Sequence, residues 1–122
     1  MSKNSDIKKL EFILEKINDA ISYKDSFKSI ENLLNSKIGF DATNMCIMQV
    51  GETLNKLSED FIKKYNHLPI KESYLTRNYI AHDYEGVNKY IIEVIIKEHF
   101  IELKKDIEKI LQKEKENEFI TI

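Results

Sequence analysis

Turn formers are almost missing from this 122-residue chain, which has three glycines and one proline. A β-sandwich or barrel needs a tight turn every ten or so residues. So few argue against either fold. A lone cysteine, Cys46, excludes an internal disulfide framework and fits a reducing cytoplasm. Long apolar runs are absent too, and nothing approaches the roughly 20 residues of a membrane span. The opening stretch, MSKNSDIKKLEFILEKI, lacks the uninterrupted apolar core of a signal peptide. Excess positive charge is also wanting: the net charge is −2 and the pI about 5.9. That argues against nucleic-acid binding through a whole basic face, while leaving room for a small cleft with local positive charge. Arginine is scarcest of all. Among 19 basic residues only Arg77 is one, and lysine fills every other position.

What is abundant points to helices. Apolar residues make up 42% and charged residues 33%, with Lys, Glu, Leu and Ile dominant. The length suits one domain, 1–122, with a core over about 5–113 and a charged tail, 114–122, that is expected to fray or to dock its apolar end on a partner. Ile7, Leu10, Leu14, Ile17 and Ile21 form the seam of an amphipathic helix, with Ser5 or Asp6 placed to cap it. Phe27, Ile30, Leu33 and Leu34 predict a second helix ending before Gly39, read as a left-handed terminator. Asp41 is placed to cap a third, with its seam at Ile47, Val50, Leu54, Leu57 and Phe61. Gly51 within it costs roughly 1 kcal/mol relative to alanine, which implies close packing by another backbone. Pro69 fits the first turn of a fourth helix that Gly86 ends. A last helix spans about 87–113, with Ile91, Val94, Ile95, Ile107 and Ile110 turned inward. The expected fold is therefore all-α, an up-and-down bundle of about five helices.

The sole arginine lies in RNYIAHDY, residues 77–84. At about 100° per residue, Arg77 and His82 diverge by about 140° on a regular helix. A site using both needs the helix to end between them, or a second copy of the chain. Asn78 and His82 share a face, and Arg77 and Tyr84 nearly align. These residue types suit chemistry on RNA. A histidine, with a reference pKa of about 6.5, can take a proton from a ribose 2′-hydroxyl and return one to the leaving oxygen. Arginine offers a planar fork of donors to a phosphate whose charge is building. Tyrosine can hydrogen-bond phosphate or stack on a base. No metal is required.

RNYIAHDY resembles the R-x4-H-x-Y signature of HepT toxins, within the HEPN superfamily of all-helical ribonucleases. QVGETLNKLSEDFIKKY is similar to that family's Gly-Glu helix, with Gly51 and Glu52 matching. LPIKESYLTRN, with Pro69, resembles its approach to the signature, and YEGVNKYIIEVI, with Gly86 and Val87, the start of its next helix. The likeness spans about residues 7–112. It departs at Ile70, where the family commonly has tryptophan, and at Leu75, where a small residue is usual. The resemblance implies a HEPN-like homodimer with two signatures facing each other, acting as the toxin of a type VII-like toxin–antitoxin pair. By carry-over Arg77 and His82 are catalytic, Asn78 orients His82, and Tyr84 completes the site. It also implies a partner, an MntA-like nucleotidyltransferase antitoxin that transfers AMP to Tyr84. An alternative function is a non-catalytic helical partner of such a nucleotidyltransferase, binding substrate or nucleotide beside it.

Other candidates are weaker. Asp83 beside His82 lacks further His or Cys at ligand spacing, so neither metal nor cofactor is expected. Glu52 either faces solvent or, if buried, needs a partner such as Arg77, behind which it would play a supporting role. His67 reads as solvated and His99 as a boundary residue. Lys63, Lys64, Lys71 and Lys89 line an RNA path or simply cover surface.

Overall fold

The computed structural model describes residues 2–121, with side chains for residues 4–117, and every regular element in that range is helical. In order they are α1 (Ser2–Ser26), α2 (Ile30–Asn35), α3 (Lys37–Leu54), α4 (Glu59–Lys64), α5 (Ile70–His82), a 3-10 turn (Tyr84–Gly86), α6 (Lys89–Val94), a π turn (Ile95–His99) and α7 (Phe100–Thr121). Helix α3 is the central element, with α1 on one side and α5 on the other, and α7 lies against α1. Contacts fix the directions. Asp6 near the start of α1 meets Ser58 just beyond the end of α3, and Tyr84 just beyond α5 meets Asp41 near the start of α3. Both neighbours therefore run antiparallel to α3, giving the up-and-down arrangement.

Leu10, Ile13, Ile17 and Ala20 of α1 are fully buried, while Ile7, Leu14 and Ile21 lie at the core's edge. The seam is thus turned about one residue from the expected one. Neither Ser5 nor Asp6 caps this helix, which starts earlier, at Ser2. Asp6 is buried instead, and its carboxylate accepts hydrogen bonds from the Ser58 backbone N–H (2.9 Å) and hydroxyl (2.7 Å). Ser58 in turn caps α4 by accepting from the Phe61 N–H. That junction splits the expected third helix. Leu57 and Phe61 are core residues as the seam implies, but they belong to a turn and to α4.

Gly39 does not end a helix. It sits inside the first turn of α3, capped by Ser36, where an added Cβ would lie 2.2 Å from the Leu33 carbonyl oxygen. Its role is to let α3 start tightly against the end of α2. Asp41 is consequently not a cap but a residue of α3. Pro69 stands just before α5, at its N-cap. This helix ends at His82 with Asp83 as its C-cap, ahead of Gly86, which lies in the 3-10 turn. The last helix carries a π turn, which rotates its register. Ile92, Ile96 and Phe100 are buried, whereas Ile91, expected inward, is 41% exposed. Helix α7 continues through the tail to Thr121, and Glu114 is buried, holding Lys64 at 2.9 Å and receiving the Tyr65 hydroxyl. The expected docking of the tail's apolar end concerns side chains outside the described residues.

Candidate functional site

Gly51 places the arginine. On α3 it faces α5 so closely that a Cβ would meet the Ser73 carbonyl oxygen at 2.5 Å and Arg77 Cβ at 3.0 Å. The close approach inferred from the sequence is present, and its partner is the backbone beneath Arg77. The next residue, Glu52, then receives the side chain: Arg77 Nε–H donates to Glu52 Oε1 at 2.9 Å. Arg77 Nη1 donates to Asn78 Oδ1 at 3.1 Å. A partly exposed guanidinium is thereby clamped between two acceptors, with donors left over for an anion. Of the two readings of Glu52, the Arg77 partnership holds, although the carboxylate keeps 39% of its exposure.

His82 is placed differently. Helix α5 is unbroken from Ile70 to His82, so no helix end separates the imidazole from Arg77 and the two point about 140° apart. His82 is exposed and enters none of the hydrogen bonds or ion pairs found among the described residues. Asn78, expected to orient it, accepts from Arg77 instead. Leu75, two turns before His82 on the same stripe, is also exposed, as are Tyr90 and Ile91 on α6.

Tyr84 follows the helix end, so its expected alignment with Arg77 does not arise. The 3-10 turn folds it back on α3, where its hydroxyl donates to Asp41 Oδ1 and its ring meets Phe40 edge-on at 5.7 Å. Burial, then the Asp41 carboxylate, raises the pKa of the phenol, and the buried Asn44 amide opposes them. Asn44 adjoins the phenol without meeting hydrogen-bond geometry, and neither its amide oxygen nor its nitrogen has a partner. The Tyr84 hydroxyl lowers the pKa of Asp41, helped by Lys37 at 3.3 Å. Asp83 is exposed and its carboxylate occupies the space beside Gly86.

Sequence reasoning missed Asp41 and Asn44 as neighbours of the signature. Asp41 carried a capping reading, and the 43 residues separating it from Tyr84 gave no signal. Other candidates fall away from the site. His67 is exposed beside Tyr65, and Lys64 is held by Glu114. His99 lies on a separate apolar groove of about 390 Å³, between α5 and the π turn, that contains none of Arg77, His82 or Tyr84. Among the described residues no group of three His, Cys, Asp or Glu side chains could hold a metal ion, and no helix is long and apolar enough to cross a membrane.

The profile of the ribonuclease HepT-like family matches residues 13–110. Two relatives from Methanocaldococcus jannaschii, both named "Putative RNase", are similar to the chain. One is 32% identical over 100 residues, covering 82% of each protein; the other is 31% identical over 100 residues, covering 77% of this chain and 86% of its own. A third of the same name, from Caldanaerobacter subterraneus subsp. tengcongensis, is 34% identical over 110 residues, covering 89% of this chain and 90% of its own. No solved structure matches the chain.

Proposed function

Since the chain belongs to the HepT-like ribonuclease family of the HEPN superfamily, we propose that it is a metal-independent endoribonuclease. It serves as the toxin of a type VII-like toxin–antitoxin pair in the cytoplasm, and its working unit is a homodimer. The observation that carries this reading is the unbroken α5. One subunit holds a preset guanidinium and an imidazole facing elsewhere, so a phosphodiester that touches both must lie between two copies. Exposed Leu75, on the His82 stripe, supplies apolar surface for that pairing.

In the paired site His82 of one subunit takes the proton of a ribose 2′-hydroxyl, and the new oxyanion attacks the adjacent phosphorus. Arg77 of the other subunit, steadied by Glu52 and Asn78, neutralises the phosphorane. The 5′-oxygen leaves with a proton, and a 2′,3′-cyclic phosphate remains. A nucleotidyltransferase antitoxin of the MntA kind silences the enzyme by transferring AMP to Tyr84, which introduces negative charge and bulk beside a site built for an RNA phosphate.

The test uses purified protein and RNA. His82→Ala abolishes cleavage with stability within about 0.5 kcal/mol of wild type, since the side chain is exposed. Mixing His82→Ala with Arg77→Ala then restores about a quarter of wild-type activity, because half the dimers are mixed and each has one intact site. No recovery on mixing, with subunit exchange verified, would refute the shared site. Cleavage by His82→Ala at wild-type rate would remove the histidine from the chemistry.

A further inference from the structure

Six tyrosines are present, and two of them have a hydroxyl bonded to a carboxylate. Tyr65 donates to Glu114 but is buried. Tyr84 donates to Asp41 and remains partly exposed. Around it stand Phe40 and the unpartnered, fully buried amide of Asn44, both from α3. The charged groups facing this corner are Asp41 itself, Lys37 bound to it, Asp83 from the preceding junction, and Lys89, which bonds Asn35 and lies 5.9 Å from the Phe40 ring centroid. An isolated phenol ionises near pH 10 and is a poor nucleophile at neutrality. Here an acceptor for its proton is already in place, and a buried amide N–H lies close to the oxygen that would become anionic.

We propose that Asp41 accepts the Tyr84 proton when the phenol is nucleotidylated or acylated. The inference rests on the reading above only for the identity of the AMP donor. In that reaction the phenolic oxygen attacks the α-phosphorus of ATP and the O–P bond forms as the bond to pyrophosphate breaks. The proton passes to Asp41 and then to water. Tyrosine and ATP thus yield O-AMP-tyrosine, pyrophosphate and a proton.

The resting acidities are consistent with this timing. Burial and the Asp41 charge keep the phenol protonated, and the hydrogen bond keeps Asp41 a weak base. Transfer occurs as the new bond forms, because the phenol becomes strongly acidic once its oxygen bonds to phosphorus. A protein kinase's catalytic aspartate accepts a substrate hydroxyl proton in the same way. Asn44, with its N–H unengaged, is placed to steady the charge passing through the oxygen.

An electrophile that needs no partner protein tests the claim on the full-length chain. N-acetylimidazole transfers acetyl to a phenol and releases imidazole, and peptide mass mapping gives the rate at each tyrosine. Tyr90 is 70% exposed and bonded to no carboxylate, so it is the internal reference. Between pH 6.5 and 8.5 the Tyr90 rate rises by about tenfold per unit, following ionisation of the phenol, whereas the Tyr84 rate changes by less than about threefold. In Asp41→Asn, Tyr84 acquires the slope of Tyr90 and slows by at least about tenfold at pH 6.5. A Tyr84 profile as steep as that of Tyr90 in the wild-type protein overturns the proposal, however the variant folds. ATP with the cognate nucleotidyltransferase separates the two readings. Wild-type protein that shows the flat acetylation profile but gains no AMP ends the modification reading and leaves Asp41's role standing. Undiminished AMP transfer to Asp41→Asn ends Asp41's role and leaves the modification reading.

Discussion

Gly51→Ala separates helix propensity from packing, because the two predict opposite signs. In an open helix the change stabilises by about 1 kcal/mol. Here the new methyl would lie 2.5 Å from the Ser73 carbonyl oxygen and 3.0 Å from Arg77 Cβ, whereas ordinary contact begins at 3.4 Å. The first obstacle is backbone and cannot rotate away, so α3 and α5 must part by about 0.9 Å, taking the 3.4 and 2.5 Å figures together. Overpacking of this kind costs about 1–3 kcal/mol, and an immovable carbonyl places it at the upper end. Set against the propensity gain, the net loss is about 2 kcal/mol, or a Tm lower by about 8 °C for a domain of this size. Urea and thermal unfolding followed by circular dichroism measure it. RNA cleavage should fall as well, since the spreading moves Arg77 away from Glu52. A variant more stable than wild type by about 1 kcal/mol would mean that the helices do not touch at Gly51, and the placement of Arg77 would fail with it.

Three further outcomes are expected. Glu52→Ala releases the guanidinium while removing only a partly exposed ion pair, so stability changes by less than about 1 kcal/mol; RNA cleavage drops about tenfold or more, and unchanged turnover would show that Arg77 needs no anchor. Asp6→Ala strips two acceptors from Ser58 at the start of α4 and costs about 2–3 kcal/mol in urea unfolding, with a loss below about 0.5 kcal/mol counting against the buried bonds. Burial pushes the Cys46 thiol up to about 11, with Asp19 adding to it, so Ellman's reagent at pH 8 reacts only in urea, and rapid labelling without urea would contradict that burial. The sign on the alkaline side follows. Because the folded thiol's pKa lies above its reference value of 9.0, the unfolded chain ionises first, and this group's contribution to stability is lost as pH climbs from 9 toward 11.

Much of the fold was legible in local pattern. Apolar spacing located the main helices, and scarce turn formers excluded sheets. The errors have specific physical causes. Gly39 was read by its conformational freedom, whereas its use is missing bulk beside Leu33. The seam through Leu57 and Phe61 ran on across a helix junction, because Ser58 caps α4 with Asp6, 52 residues away, behind it. The register of the last helix was ambiguous because five of the six residues from Ile91 to Ile96 are apolar, and only packing selects Ile92 and Ile96. At the site, one alternative has closed: no helix end lies between Arg77 and His82.

By itself the sequence determined an all-helical chain, the singular position of Arg77, and a glycine where two helices had to meet, because spacing and residue size are local properties. It also carried the family, because the likeness runs through consecutive segments. Only the tertiary structure decided that Glu52 and Asn78 hold the guanidinium and that the Tyr84 hydroxyl rests on Asp41. Each of these depends on how α5 and the turn after it lie against α3. Such a contact is set by the shape of two packed surfaces, and neither stretch of chain encodes that shape alone.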